Sequence, residues 1–404
     1  MRVAVTGVGA ITPLGLSAPV FWQALIEGRS GIGPLQGCFA AQLRFPNGAQ
    51  LRGWDPLHHF DARTADLLDP FAQFAVVAGR EALADAGLTV DDVRGPRTAI
   101  LTGCCAGGQV SEDVQFQDLY SKQTGRVHPM TIPRIMSNAG ASFLSMEWGA
   151  SGPVFSVSTA CASAGHAMAQ GLWMVRSGMV DRAIVGGSEA AFCLGFLKAW
   201  EAMRVVSQDT CRPFSKDRKG LILGEGAAML VIEPLEAARA RGAKIYAEFA
   251  GAGMSADAHH ITQPTVGGPS LAMSNALADA GMAPEEVGYI NAHGTGTLAN
   301  DATESKAIHA VFNSHARRLA VSSTKSMHGH ALGAAGALEA VATVMALKEG
   351  MLPPTMNYTT PDPECDLDVV PNAARATQVG AALSNSFAFG GLNAVLAFRA
   401  PAAL

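Results

Sequence analysis

Short apolar runs rich in Val, Ile and Ala alternate with helix-spaced segments along this 404-residue chain, and they do so in two similar series. The first series predicts strands near 2–6, 97–102, 154–158, 182–187 and 227–232, with helices near 18–27, 69–86, 132–147, 161–177 and 195–204. The second begins near Lys244 and predicts strands around 245–251, 287–292, 381–386 and 394–399, with helices around 268–280, 300–312 and 330–348. Such alternation argues for an α/β fold with layered, buried sheets. At 49% hydrophobic residues the chain also exceeds one ordinary core, so it is read as two α/β halves, 1–243 and 244–404. Asp69-Pro70 marks a helix start, a capping side chain followed by the proline favoured at the first helical position. The stretch from Met351 to Ala376, rich in Pro, Asp and Asn, reads as an extended loop.

Net charge is −5 and no Lys/Arg-rich block stands out, so the electrostatic footprint of a nucleic-acid binder is missing. Apolar stretches are broken by Gly or charge before about 18 residues, too short to cross a bilayer. The amino terminus carries no secretory h-region, so a cytoplasmic protein is expected. Seven cysteines, at 38, 104, 105, 161, 193, 211 and 365, lack zinc-like pair spacing and fit a reducing compartment. The Cys104-Cys105 pair has no third ligand at a recognisable spacing, so no metal is expected.

Within Val157 to Gly165 a β-type run stops and a helix begins at Cys161. A helix N-terminus stabilises a thiolate and lowers its pKa, and the Ala/Ser/Gly-rich segment after it suits a crowded interior. That segment alone fits a nucleophile and a small core cysteine equally. Two histidines tip the balance. His293 follows an apolar strand in N-A-H-G-T-G-T, and His330 precedes a helix in K-S-M-H-G-H. Imidazoles on strand-to-loop edges beside glycine point into clefts more often than into cores. One cysteine with two such histidines reads as a catalytic set.

These residues carry a resemblance. The chain is similar over nearly its full length to β-ketoacyl-acyl carrier protein synthases of the long-chain, KAS II type, through T-A-C-A-S around Cys161, N-A-H-G-T-G-T at 291–297, S-S-T-K-S-M-H-G-H at 322–330, G-A-A-G-A-L-E at 333–339 and N-S-F-A-F-G-G-L-N at 385–393. The text from Lys198 to Phe214 and from Asn393 to Phe398 most resembles the nodulation protein E branch. The resemblance implies the thiolase fold, two duplicated βαβαβαββ halves in five αβαβα layers. It also implies an acyl chain carried on Cys161 and extended by decarboxylative condensation with malonyl thioester. His293 and His330 would donate N–H groups to the enolate oxygen, and the backbone N–H groups of Cys161 and Phe389 would form the oxyanion hole. Lys325, Asp301, Glu304 and Glu339 match supporting positions. Thr295 and Thr297 match contacts to the phosphopantetheine arm, while Phe387, Ala106 and Trp200 match substrate-pocket positions. No cofactor beyond the carrier's phosphopantetheine is implied. The implied partners are an acyl carrier protein and a second copy of the chain, or a chain-length factor in a heterodimer.

Departures bear on substrate. The family's G-F-G-G-T-N loop reads Ala388-Phe389-Gly390-Gly391-Leu392-Asn393, so a loop motion needing positive φ at 388 would be disfavoured. Ala106, with Cys104 and Cys105, falls at the far wall of the acyl pocket and would leave a long tunnel. The usual basic docking stretch holds one arginine and three aspartates between Asp61 and Asp69; Arg212, Lys216, Arg218 and Lys219 are the basic residues that could compensate. Three rivals stand beside this reading. Thr6-Gly7-Val8-Gly9-Ala10 resembles half of a dinucleotide-binding fingerprint, but Thr12 stands where the third glycine should be. A degradative thiolase would show a second catalytic cysteine, and the second half offers only Cys365. A catalytically silent chain-length factor would usually lack the nucleophile that is present here.

Overall fold

The computed structural model describes residues 1–37, 39–123 and 125–401; Cys38 lies outside the described residues. The apolar runs pair into one mixed sheet whose strands are β1 (Val3–Ile11), β2 (Thr98–Gly103), β3 (Val154–Val157), β4 (Arg182–Glu189), β5 (Gly226–Pro234), β6 (Ala247–Ala256), β7 (Tyr289–Asn291), β8 (Ala320–Ser322), β9 (Ala381–Ala388) and β10 (Leu392–Arg399). Counting outward from the centre, the first five follow the order β1-β5-β4-β2-β3 and the second five β6-β10-β9-β7-β8. The second path is the first repeated five strands later, and the strand directions repeat too. In each half the two outer pairings are parallel and the two inner ones antiparallel. The halves meet where β1 runs antiparallel to β6, through Ala4 opposite Glu248 and Val5 opposite Ala247.

Six helices layer onto this sheet: α1 (Pro70–Asp85), α2 (Ala139–Trp148), α3 (Ser163–Arg176), α4 (Gly267–Ala280), α5 (Leu298–Phe312) and α6 (Ala335–Glu349). One apolar cluster joins α1 and α2 to the first half, another joins α4 and α5 to the second, and the largest holds α3 and α6 between the two. The two five-strand halves, their strands joined through the short β1–β6 pairing, thus form two β layers with α3 and α6 between them, the five-layer αβαβα arrangement of the thiolase fold. Residues Ala335 to Leu347 of α6 are all buried, as expected of a helix covered on every side. That position explains why its Glu339 and Thr343 are polar groups without solvent.

Several expected elements are corrected. The first strand continues past residue 6 to Ile11. Gly7 and Gly9 lie inside it, where a Cβ would come 2.2 Å from the Ala82 carbonyl and 2.1 Å from that of Ala78. The glycine pair therefore serves close packing of β1 on α1, not a phosphate-binding turn. The helix expected over 132–147 is two pieces, Thr131–Ile135 and α2, because Met136 is extended between them. A helix at Gln109–Lys122 and strand β8 were not expected. Both are short on apolar periodicity, the first because it is largely solvated. The Asp69 cap is present, its carboxylate accepting the Phe71 N–H at 3.1 Å.

Glu225, just before β5, gives a pH-dependent prediction. Burial pushes its carboxyl up to about 8, against a backbone N–H from Leu51 at 2.8 Å. A folded-state pKa raised this far means that the native chain holds the proton more tightly than the unfolded chain. Its stabilising contribution is complete below the unfolded value near 4.5 and is lost as pH climbs through about 8. Glu225→Gln is expected to be more stable than the parent at pH 8.5 by on the order of 2 kcal/mol. Parallel melting curves for the two proteins from pH 5 to 8.5 would show that Glu225 does not titrate in that range.

Candidate active site

The strand β3 ends at Val157 and α3 starts at Ser163, so Cys161 sits two residues ahead of the helix rather than opening it. The connection is a sharp elbow. Ala160 has φ +49°, which costs an L-residue roughly 1–2 kcal/mol. Local bonds hold it there: Ser163 Oγ donates to the Ala160 carbonyl at 2.6 Å and accepts the Thr159 N–H at 2.8 Å. The cysteine is buried, 7% exposed. Burial pushes its thiol up to about 11, while Lys325 and the backbone N–H groups of Phe389 and Cys161 pull the other way. The expected lowering by a helix end is thus outweighed by desolvation.

His293 follows β7 on a loop pinned by two carboxylates of α5. Glu304 accepts the N–H groups of His293 and Gly294, both at 2.8 Å, and Asp301 accepts those of Phe214 at 2.8 Å and Gly296 at 3.2 Å. Lys325, fully buried, pairs with Glu339. Its ammonium also donates to the His293 carbonyl at 2.8 Å and faces His293 Nδ1 at 3.4 Å. His330 is held by backbone bonds to Ile222 at 2.7 Å and Gly224 at 2.9 Å, and its Nδ1 accepts the Leu332 N–H at 3.1 Å.

Those contacts fix the proton on each ring. An ammonium and an amide only donate, so both Nδ1 atoms are acceptors and each Nε2 carries the hydrogen. Burial, with Lys325 adding to it, pushes both imidazoles well below their ordinary range, so both are neutral. The rings lie 5.3 Å apart at 83°. One nitrogen of each, with the Cys161 sulfur, falls in a cluster no more than 4.8 Å across. Among the described residues this is the one such group compact enough to hold a metal ion. Protonated Nε2 atoms, however, offer hydrogens rather than the lone pairs a metal needs.

The three residues line a cleft with about 620 Å³ of unfilled space, including its open mouth. Thr295, Thr297, Phe387, Phe389 and Trp200 line it as well. Thr295 and Thr297 bond to each other through their hydroxyls at 2.9 Å. The Trp200 indole stacks on Phe389 at 6.2 Å and 23°. Ala106 is not among the lining residues; its neighbour Cys105 packs in an apolar cluster with Phe192, Trp200 and Leu332. Ala388 ends β9 opposite Leu392, and the positive φ values fall on Gly390 (84°) and Gly391 (70°). The hairpin therefore turns on its two glycines, and Ala388 stays extended.

Sequence reasoning missed the loop from Asp257 to Pro264, which lines the mouth. It is tied to the hairpin by Gly390 N–H to Ile261 at 2.7 Å and Asp257 N–H to Gly391 at 2.8 Å. Its only signal was the run Asp257-Ala258-His259-His260, which has no catalytic spacing. Two expected surface charges are internal. Asp69 is buried and also accepts the Ser111 N–H at 2.7 Å. Arg218 is buried, donating to the carbonyls of Ser215, Thr297 and Leu298 and pairing with Asp362. Of the compensating basic residues, Lys216 and Lys219 are exposed, while Arg212 pairs with Asp209 at 2.7 Å. Cys365 is buried and does not line the cleft.

Comparison with known proteins agrees with this geometry. Residues 1–238 match the profile "Beta-ketoacyl synthase, N-terminal domain" and residues 246–359 the corresponding C-terminal domain. The chain is 49% identical over 398 residues to nodulation protein E of Rhizobium sp. (strain N33), covering 98% of this chain and 99% of that protein. It is 45% identical over 408 residues to 3-oxoacyl-[acyl-carrier-protein] synthase 2 of Synechocystis sp., covering 98% of each. Among solved structures, the ishigamide ketosynthase/chain length factor superposes with TM-score 0.92 at 37% identity, covering 99% of both chains.

Proposed function

Because the chain belongs to the β-ketoacyl synthase family, in its KAS II type and nodulation protein E-like branch, we propose that Cys161, His293 and His330 divide its condensation between them. The protein is an acyltransferase that extends a carrier-bound acyl chain by decarboxylative condensation with malonyl-carrier thioester. In the first half-reaction the Cys161 sulfur attacks the acyl thioester, and the proton it loses leaves on the carrier's thiol. The backbone N–H groups of Cys161 and Phe389 stabilise the tetrahedral oxyanion. In the second, malonyl thioester loses carbon dioxide, and the enolate oxygen takes the two Nε2–H groups. The α-carbon then attacks the acyl carbonyl on Cys161, the carbon–sulfur bond breaks, the β-ketoacyl chain leaves on the carrier, and the released Cys161 thiolate takes up one proton from water to restore the thiol.

The observation that carries this assignment is the 4.8 Å cluster of one sulfur and two imidazoles whose Nδ1 atoms are already engaged. Lys325, Glu339, Asp301 and Glu304 act as supports, since their polar atoms face the loops rather than the open cleft. Thr295 and Thr297 supply hydroxyls for the phosphopantetheine arm. The intact triad favours an active subunit over a chain-length factor, and the position of Cys365 offers no second thiol for thiolase chemistry. No described helix is long and apolar enough to cross a membrane, and we place the protein in the cytoplasm. Among the described residues, edge strand β3 pairs only with β2, and all four of its residues are partly exposed. That open edge supports pairing with a second subunit, a copy of this chain or a chain-length factor.

Substrate length is tested by acyl loading. The Trp200 ring faces Phe389 at 6.2 Å and 23°, and both line the cleft with Cys161, so Trp200 limits the width available to an acyl chain. Trp200→Ala is expected to raise Cys161 acylation by long or bent chains about tenfold relative to short ones. Intact-mass measurement of adducts from carrier proteins loaded with graded chains reads this ratio. An unchanged chain-length profile would remove Trp200 from the acyl path.

A further inference from the structure

Glu189, the last residue of β4, is fully buried, and its carboxylate collects donors from two separate loops. Oε2 accepts the N–H groups of Cys105 at 2.9 Å and Gly333 at 3.0 Å. Oε1 accepts the N–H of Ala106 at 3.2 Å and the Cys104 thiol at 3.3 Å. Both oxygens act as acceptors, so these contacts need the ionised form, although burial raises the carboxyl's pKa. A buried charge balanced only by three backbone N–H groups and one thiol is an expensive way to join two loops, which directs attention to what the loops do.

Gly333 adjoins Leu332, whose N–H donates to His330 Nδ1. The two sit in one short helical turn, Leu332–Ala334. Anchoring the Gly333 amide to Glu189 therefore sets the direction of the Leu332 amide one peptide away. That amide decides which nitrogen of His330 keeps its proton. We propose that Glu189 is a positioning residue for the condensation, its carboxylate holding the Leu332–Gly333 turn so that His330 stays in the tautomer that donates from Nε2. This rests on the reading of His330 as an enolate donor.

The test separates the half-reactions. Malonyl-carrier decarboxylation is measured in a Cys161→Gln background, and Cys161 acylation by a short acyl-carrier donor in the parent. In Glu189→Gln one oxygen becomes an NH2 group facing backbone donors. Decarboxylation is expected to fall about 10- to 100-fold, while acylation falls no more than about threefold. Glu189→Asp, which keeps the charge, should lose less decarboxylation, and nitrogen-15 spectra of its histidines should show His330 partly in the Nδ1–H tautomer. If Glu189→Gln does not fold, the Asp variant carries the same comparison. Equal losses in both half-reactions, or an unaltered tautomer with full decarboxylation, would overturn the proposal. His330→Ala is the control: decarboxylation retained there defeats the assignment of His330 itself, whereas decarboxylation lost there but kept in Glu189→Gln defeats only the role of Glu189.

Discussion

Replacing His293 and His330 together by alanine is expected to lower malonyl-carrier decarboxylation by about four orders of magnitude while leaving the Cys161 thiol available to alkylating agents. Loss of carbon dioxide places a full negative charge on the thioester oxygen, and the enzyme must meet it with donors that are already aimed. Removing one such donor typically costs about 10²- to 10³-fold. Two donors to one oxygen act as a unit, so the double loss should fall short of the product of the single ones. The proposed donors are neutral rings, because burial and the Lys325 ammonium push both below their ordinary range. The decarboxylation rate should therefore show no limb from histidine titration between pH 6 and 8. A double variant that keeps decarboxylation within tenfold of the parent would remove both histidines from the step.

The same two histidines illustrate what was legible in the sequence. Each stands at the end of a β-type run beside glycine, and local pattern alone placed them on loop edges. What local pattern could not give is the distance from Cys161, since 132 and 169 residues separate His293 and His330 from it (293 − 161 and 330 − 161). The fold supplies that distance, since the segments that follow β3, β7 and β8 meet at one cleft. The supports Lys325, Glu304 and Asp301 were reached through motif resemblance, because a buried charge reads in sequence as a surface one. Arg218 and Asp69 show that error directly: both were counted with the docking surface and both are internal. Glu189 was not singled out at all, since a carboxylate at a strand end carries no periodicity and its partners lie on loops far apart in the chain. The expected low thiol pKa failed for a related reason. A helix end is visible in sequence, whereas the depth at which it lies is a property of the assembled layers.

That depth shapes the other large effect. With its thiol pushed up to about 11 by burial, Cys161 is predominantly protonated near neutral pH. Alkylation by iodoacetamide is expected to accelerate roughly tenfold per pH unit from 7 to 10. A rate flat from pH 7 to 9 would mean that the thiolate is already formed and that desolvation does not dominate. In the proposed mechanism the acyl step proceeds with a protonated thiol because its balance is neutral: the thiol proton ends on the departing carrier thiol, and the Cys161 and Phe389 amides would receive charge only in passing. The proposed decarboxylation makes no use of that sulfur. Cys161→Gln should therefore abolish the acyl adduct seen by intact mass and reduce condensation by more than about 10³-fold, while malonyl-carrier decarboxylation persists at or above the parental rate. Loss of both activities would mean that Cys161 also organises the enolate site, and survival of the adduct would place the acyl chain on another residue.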